Sequence, residues 1–305
     1  MPIYANMGRN LPQPGFWMAV LLVVLVLIVQ TVLSIPLGIL NLVIEHGLHH
    51  PPPHLERQPL LVGGIHLVAF GAAIVLGLRL NRLPFRHAFP IGQVTALQVV
   101  GVAVALLGGV VLLSEVDNVF RALLPLPQWL WNLVKDLFLS KDKLFSRIFL
   151  LVIVAPLGEE LLFRGIILRG LLSRHRPAVA VVLTALLFAA IHCNPWQFLS
   201  ALFLGIAFGW FYLRTGSIGL CVLAHAFCNG MTIVVAALPL NIPGLVGTED
   251  YTKAVFQPWW LDCAGLVLVL VGLWTFRRAA PPAQTPPAQT PPVQAPPIIG
   301  LNKTV

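Results

Sequence analysis

Eight stretches of this chain are apolar for long enough to cross a lipid bilayer, and nothing else in the sequence constrains the fold as much. A spanning helix needs roughly 17–25 predominantly apolar residues. The sequence offers such runs at about 16–44, 60–80, 93–114, 145–171, 178–193, 197–213, 218–238 and 259–276. Of the 305 residues, 58% are hydrophobic and 10% charged, against about 25% charged in a soluble domain. A single water-soluble globule is excluded. The expected fold is an all-α polytopic membrane bundle of eight spans. It forms one transmembrane domain over 16–276, with a short segment at 1–15 before it and a tail at 279–305 after it. No stretch reads as a soluble catalytic domain, so any chemistry must come from residues inside the helices.

The net charge of +8 follows the loops rather than a nucleic-acid surface. Alternate connections and both ends hold Arg9, Arg79, Arg82, Arg86, Arg169, Arg174, Arg176, Arg214, Arg277, Arg278 and Lys303, with no acid among them. The other connections hold Glu45, Glu56, Glu115, Asp117, Asp136, Asp142, Glu249, Asp250 and Asp262 beside seven basic residues. Lys and Arg are retained on the cytoplasmic side. Both termini are therefore expected in the cytoplasm, and a bacterial inner membrane fits the composition. The first apolar run, from Phe16, is far longer than a signal-peptide core of about 7–15 residues. It reads as a retained helix, bent at Pro36.

Several features carry no chemistry in this reading. Cys193, Cys221, Cys228 and Cys263 lack CxxC spacing and are expected as buried free thiols. Residues 115–143 form the longest outer connection. Within it Leu130, Leu133, Val134, Leu137 and Phe138 mark one apolar helix face, and Trp129 and Trp131 suit the headgroup level. An interfacial surface helix is expected there. His46, His49, His50 and His54 surround three prolines that prevent helical presentation of metal ligands. His66, His87 and His175 show no partner pattern and read as structural. The tail repeats PPAQT and lacks the apolar surface to fold.

Ionisable residues inside a span are costly and mark function by default. The fourth span reads APLGEELLFRGIILRG. Glu159 and Glu160 point about 100° apart on a helix, and Arg164 stacks four residues after Glu160 for an ion pair. Glu160 is thereby neutralised, and Glu159 is left to face something else. The fifth span places Phe188 and His192 four apart, and the seventh does the same with His225 and Asn229. Counting about 1.5 Å per residue from the cytoplasmic end, Glu159, His192 and Asn229 fall at depths of about 18, 21 and 17 Å, with His225 nearer 11 Å. The short fifth span implies that the turn Cys193-Asn194-Pro195-Trp196 dips below the outer surface and admits water.

These three motifs, Glu159-Glu160-x3-Arg164, Phe188-x3-His192 and His225-x3-Asn229, resemble the CPBP intramembrane proteases. That group contains the CAAX-protease and bacteriocin-processing proteins, including prenyl-CAAX endopeptidases of the Rce1 type. The resemblance covers about residues 145–238. It implies an endopeptidase acting on membrane-associated or C-terminally lipidated peptides. Glu159 would activate water, His192 would orient it, His225 and Asn229 would bind the oxyanion, and Glu160, Arg164 and Phe188 would support them. The expected partners are membrane lipid and such a substrate, not nucleic acid.

Metal dependence stays open at this level. The group is commonly labelled metalloprotease, and Glu159, His192 and His225 offer a His2Glu zinc set. The sequence has no HExxH, and a glutamate-activated water needs no zinc. Two other functions also remain: a non-catalytic scaffold or bacteriocin-immunity factor of the same group, and a transporter or proton relay. Intact motifs favour the protease over the scaffold. The absence of paired inverted repeats argues against the transporter.

Overall fold

The computed structural model describes residues 14–49, 51, 54–138, 143–246 and 252–279. Most of the expected N-terminal segment, the Pro-rich tail from residue 280 onward, and His50, Asp142, Glu249 and Asp250 lie outside the described residues. Among those described the chain is helical, and the sole β feature is an isolated bridge between Ile242 and Val246. We number the longer helices α1 Phe16–Leu42, α2 Pro59–Leu80, α3 Ala96–Leu123, α4 Gln128–Phe138, α5 144–172, α6 Pro177–Ala190, α7 Pro195–Thr215, α8 Ile218–Ala237 and α9 Trp259–Arg278.

Six of these are long and apolar enough to cross a membrane: α1 (which continues to Gly47), α2, α3, α7, α8 and α9. The remaining two of the eight expected spans take other forms. The fifth is α6, a shorter apolar helix of 14 residues. The fourth, α5, is continuous but alternates α-helical pieces with π turns at Phe149–Val154 and Leu161–Leu168. The third span also differs, because α3 continues nine residues past the expected boundary to Leu123. The outer connection is correspondingly shorter, and α4 occupies its middle with Leu130 turned inward and Trp129 exposed.

Local sequence sets the helix boundaries. Thr95 and Gln98 form a reciprocal capping box at the start of α3, at 3.1 and 2.9 Å. Asn194 caps α7, with Pro195 at the first helical position, where its missing N–H costs nothing. Gly216 ends α7 at φ 64°, a left-handed conformation that glycine adopts without a Cβ penalty, and Ser217 then caps α8.

Helix α5 is the axis of the bundle. Every residue from Leu162 to Leu171 is buried, including Arg164 and Arg169. α1, α2 and α6 pack on it through a core that includes Leu22, Phe70, Phe163, Ile166 and Phe188. α3 and α9 meet along a small-residue seam, Gly101, Ala105 and Gly108 against Gly265 and Gly272, where backbones lie too close for a Cβ. The outer faces of α1 and α9 stay apolar and exposed, with Ile28, Val32, Val267 and Leu270 all more than half accessible. That is the surface expected to face lipid.

The two ends of the bundle differ in charge. Arg169, Arg174, Arg214, Arg277 and Arg278 gather at one end, where Arg169 donates to the His87 carbonyl and Arg214 and Arg277 flank the Trp210 ring. At the other end Glu115 accepts from Asn118 and from the Gln257 backbone, and Arg121 pairs with Asp117 at 3.3 Å. Cysteine is a partial correction. All four thiols are free, with Cys221 and Cys228 buried as expected, but Cys193 and Cys263 are exposed. Cys193 sits in the tight turn after α6 at φ 49°, and Cys263 lies near the first turn of α9.

Candidate active site

Pro156 shapes the helix that carries the glutamates. It has no N–H to donate, and the turn before it widens to the π register, in which Ala155 donates to the Leu150 carbonyl five residues back. The next carbonyl in that register, Leu151, would need the N–H that Pro156 lacks. Asn229 supplies it from α8, with Nδ2 donating to Leu151 O at 2.8 Å. Asn229 thus spends one amide N–H on the Leu151 carbonyl, and one remains to it.

Glu160 and Arg164 form the expected pair. Nη1 of Arg164 lies 2.9 Å from Glu160 Oε1, and both side chains have no exposed surface. The guanidinium also donates to the Gly205 carbonyl of α7 at 3.0 Å and lies over the Phe188 and Phe208 rings at 4.9 and 5.4 Å. Gly205 permits this, since a Cβ there would meet Ala185 at 3.0 Å and Phe188 at 3.3 Å. Glu160 Oε1 takes a second donor, Nδ1 of His225, at 2.9 Å.

His225 therefore stands beside the glutamates, whereas a uniform rise per residue put it about 7 Å away in depth. The π turns account for part of this, because they wind more residues into each turn and advance less per residue. The His225 ring stacks on Phe208 at 5.3 Å and meets the edge of Phe188 at 5.8 Å. Its Nε2 is 4.0 Å from Glu159 Oε2. His192, one turn after Phe188, bonds through Nδ1 to the Phe188 carbonyl at 2.8 Å and packs against that ring at 5.2 Å. Phe188 thus touches Arg164, His192 and His225 together.

His66 of α2 departs from its structural reading. Its Nε2 is 3.8 Å from Glu159 Oε1, and its ring stacks on Phe70 at 4.1 Å. α2 passes close to α5 here, since a Cβ on Gly158 would lie 3.3 Å from Phe70 Cβ and 3.4 Å from His66 Nε2. The available signal was the one applied to the glutamates, an ionisable side chain within a span. His66 has no ionisable or amide partner at i±3 or i±4, only Phe70 among large side chains on that side, so spacing alone passed it over.

Hydrogen-bond roles follow from the partners. A carbonyl and an Arg-paired carboxylate both accept, so Nδ1 of His192 and of His225 carries the proton. In their neutral rings Nε2 is then a bare acceptor. Glu159 Oε2 and His66 Nε2 are buried without a hydrogen-bond partner among the described residues. Glu159 is 7% exposed and belongs to no close ion pair shorter than 3.8 Å, unlike its neighbour. The arrangement suits a molecule that donates hydrogen bonds to both Glu159 and an imidazole, as water does.

The zinc set expected as one alternative, Glu159, His192 and His225, does not fit this geometry. Among the described residues no group of three His, Cys, Asp or Glu side chains is placed to hold a metal ion. His192 and His225 each keep Nε2 free of protein acceptors, and the His225 Nε2 stands 4.0 Å from Glu159 Oε2.

Comparison with known proteins gives one match. Residues 141–231 fit the family described as Type II CAAX prenyl endopeptidase Rce1-like. The matched segment is less than a third of the chain, and it holds all three motifs from Glu159 to Asn229 while leaving out His66. It bears out the resemblance to the CPBP group. With the six apolar helices it supports an integral membrane protein. It gives no support to the metalloprotease label. No curated protein and no solved structure matches the chain.

Proposed function

We propose that this chain is an intramembrane endopeptidase that hydrolyses peptide bonds of membrane-associated or prenylated, CAAX-type substrates with a glutamate-activated water. One observation carries the reading. Of two adjacent buried glutamates, each with an Oε2 that has no hydrogen-bond partner among the described residues, Glu160 is paired through Oε1 with Arg164 and His225 at 2.9 Å, while Glu159 has no ion-pair partner among them closer than 3.8 Å. The endopeptidase match over the same segment supplies the reaction class.

In this reading a water donates one proton toward Glu159 and the other toward the bare Nε2 of His192 or His225. Its lone pair is thereby aimed at the scissile carbonyl. Glu159 takes the first proton as the water oxygen bonds to carbon, and the carbonyl oxygen becomes an oxyanion. The carboxyl then passes that proton to the leaving nitrogen as the C–N bond breaks, which restores the carboxylate. Positioned proton transfer of this kind contributes about 10²–10⁴ in rate. The free N–H of Asn229 is one donor for the oxyanion. Zinc takes no part in the sequence of steps.

The basic end of the bundle faces the cytoplasm of a bacterial inner membrane in this reading, with both termini on that side, supported by the retention of Arg and Lys there. Hydrolysis in water enriched in ¹⁸O tests the reaction directly. Purified protein in lipid nanodiscs, given a farnesylated CAAX peptide in the presence of a chelator, should yield a product with ¹⁸O in its new carboxylate. Glu159→Gln should yield none. A wild-type protein that leaves prenylated and other membrane-anchored peptides intact would overturn the reading. So would activity lost and regained in step with stoichiometric zinc.

A further inference from the structure

Resting on the endopeptidase reading, we propose that His66 is a further catalytic residue, the neutral N–H donor that bonds the oxygens of the water and of the tetrahedral intermediate. The need for it comes from the other two imidazoles. His192 and His225 both spend Nδ1–H on fixed acceptors, the Phe188 carbonyl and the Glu160 carboxylate. Neutral, they present only a lone pair at Nε2, and so they accept from water but donate nothing to an oxyanion. Asn229 has half of its donor capacity on Leu151. The site is rich in acceptors and short of donors, while peptide hydrolysis places its developing negative charge on oxygen.

His66 is the imidazole without that constraint. Neither ring nitrogen bonds an acceptor among the described residues, and Nε2 is buried, unpartnered and directed at Glu159. The carboxylate opposite favours the tautomer that carries its hydrogen on Nε2. At 3.8 Å the two groups are too far apart for a direct hydrogen bond. One oxygen fits between them, accepting from Nε2–H and donating to Glu159 Oε1. In the resting site that oxygen is the attacking water. After attack it is the hydroxyl of the tetrahedral centre, the charge lies on the former carbonyl oxygen bonded to the same carbon, and the same N–H turns to that oxygen.

The fold holds the ring for this purpose. Phe70, four residues on, stacks on the imidazole with the planes 18° apart, and Phe70 in turn lies against Gly158 of α5, where a Cβ would stand 3.3 Å from it. α2 lies outside the segment matched to the endopeptidase family, so this residue adds a fourth helix to a site otherwise built from α5, α6 and α8.

Two measurements test it. In kinetics with a cleavable prenylated peptide, His66→Phe keeps the stacking and removes the donor. We expect it to lower kcat by about 10²–10³ with little change in KM, the usual loss for one oxyanion donor. His66→Gln, which retains an N–H at similar reach, should stay within about tenfold of wild type. His66→Phe at wild-type kcat would overturn the proposal. The second measurement does not depend on turnover. ¹⁵N NMR of imidazole-labelled protein in micelles, with the His66 signals assigned by their loss in His66→Phe, should show the hydrogen on Nε2 of His66 but on Nδ1 of His192 and His225. A bare Nε2 on His66 would sink the donor role even in an active enzyme. Failure of the endopeptidase reading would appear instead as equal, absent turnover in wild type and Glu159→Gln.

Discussion

Arg164 has no exposed surface, and it divides its guanidinium between the Glu160 carboxylate and the Gly205 carbonyl. Removing such a charge leaves its partner buried and uncompensated, at a cost of about 3–5 kcal/mol. Arg164→Ala should therefore lower thermal stability and folded yield in detergent as well as activity. Combining Glu160→Gln with Arg164→Met should recover part of the stability, since an apolar replacement of a whole buried pair is often tolerated. If Arg164→Ala melts with the wild type, the pair contributes nothing to folding. This pair was legible in the sequence, because i,i+4 spacing is local and survives any packing. His66 was not. Its partner Glu159 lies on another helix, and the distance between them is decided by Gly158, Phe70 and the way α2 crosses α5.

At the scale of the element, the π turn before Pro156 leaves the Leu151 carbonyl without a helical donor, and Asn229 fills the gap. A buried acceptor left unsatisfied costs about 1–3 kcal/mol, so Asn229→Ala should destabilise the protein by about that much. Pro156→Ala restores a backbone N–H to α5. In that background Asn229→Ala should cost measurably less, and a double-mutant cycle on melting temperatures reads the coupling. Strict additivity would remove the link between the proline and the amide. The proline itself was visible in the sequence, but its consequence for one carbonyl was not. The assumption of an even helical rise hid it, and also misplaced His225 relative to Glu159. The third helix shows the same limit. Glu115, Asp117 and Arg121 marked a loop by composition, yet they sit in the last turns of α3, satisfied by Asn118, Gln257 and one another.

Across the whole molecule, charge alternation was the readable quantity. Loops far apart in sequence, near Arg82, Arg174 and Arg214, come to one end of the bundle, and the acids Glu115 and Asp117 lie at the other. A long apolar run and an Arg-rich loop each carry their meaning without tertiary detail. The number of spans does not, because α6 is short and α5 is interrupted by π turns, and both depend on burial against neighbours to sit within the bilayer. Orientation is testable by labelling. In a background with Cys193→Ser and Cys263→Ser, which removes the exposed thiols, cysteines placed at Arg82, Arg174 or Arg214 should resist a membrane-impermeant maleimide in intact cells. They should react after lysis. Labelling from outside at any of the three would invert the topology and, with it, the side from which water reaches the turn after α6.

The account as a whole rests on unequal roles for two neighbouring carboxylates, and paired Gln substitutions measure that most directly. Cleavage rate on a prenylated peptide and melting temperature would be taken for wild type, Glu159→Gln and Glu160→Gln. Glu159→Gln should melt with the wild type and lose about 10²–10⁴ in kcat, the contribution of a general base. Glu160→Gln should melt lower, because Arg164 and His225 lose their shared acceptor. A Glu159→Gln protein that cleaves at the wild-type rate would contradict the central claim.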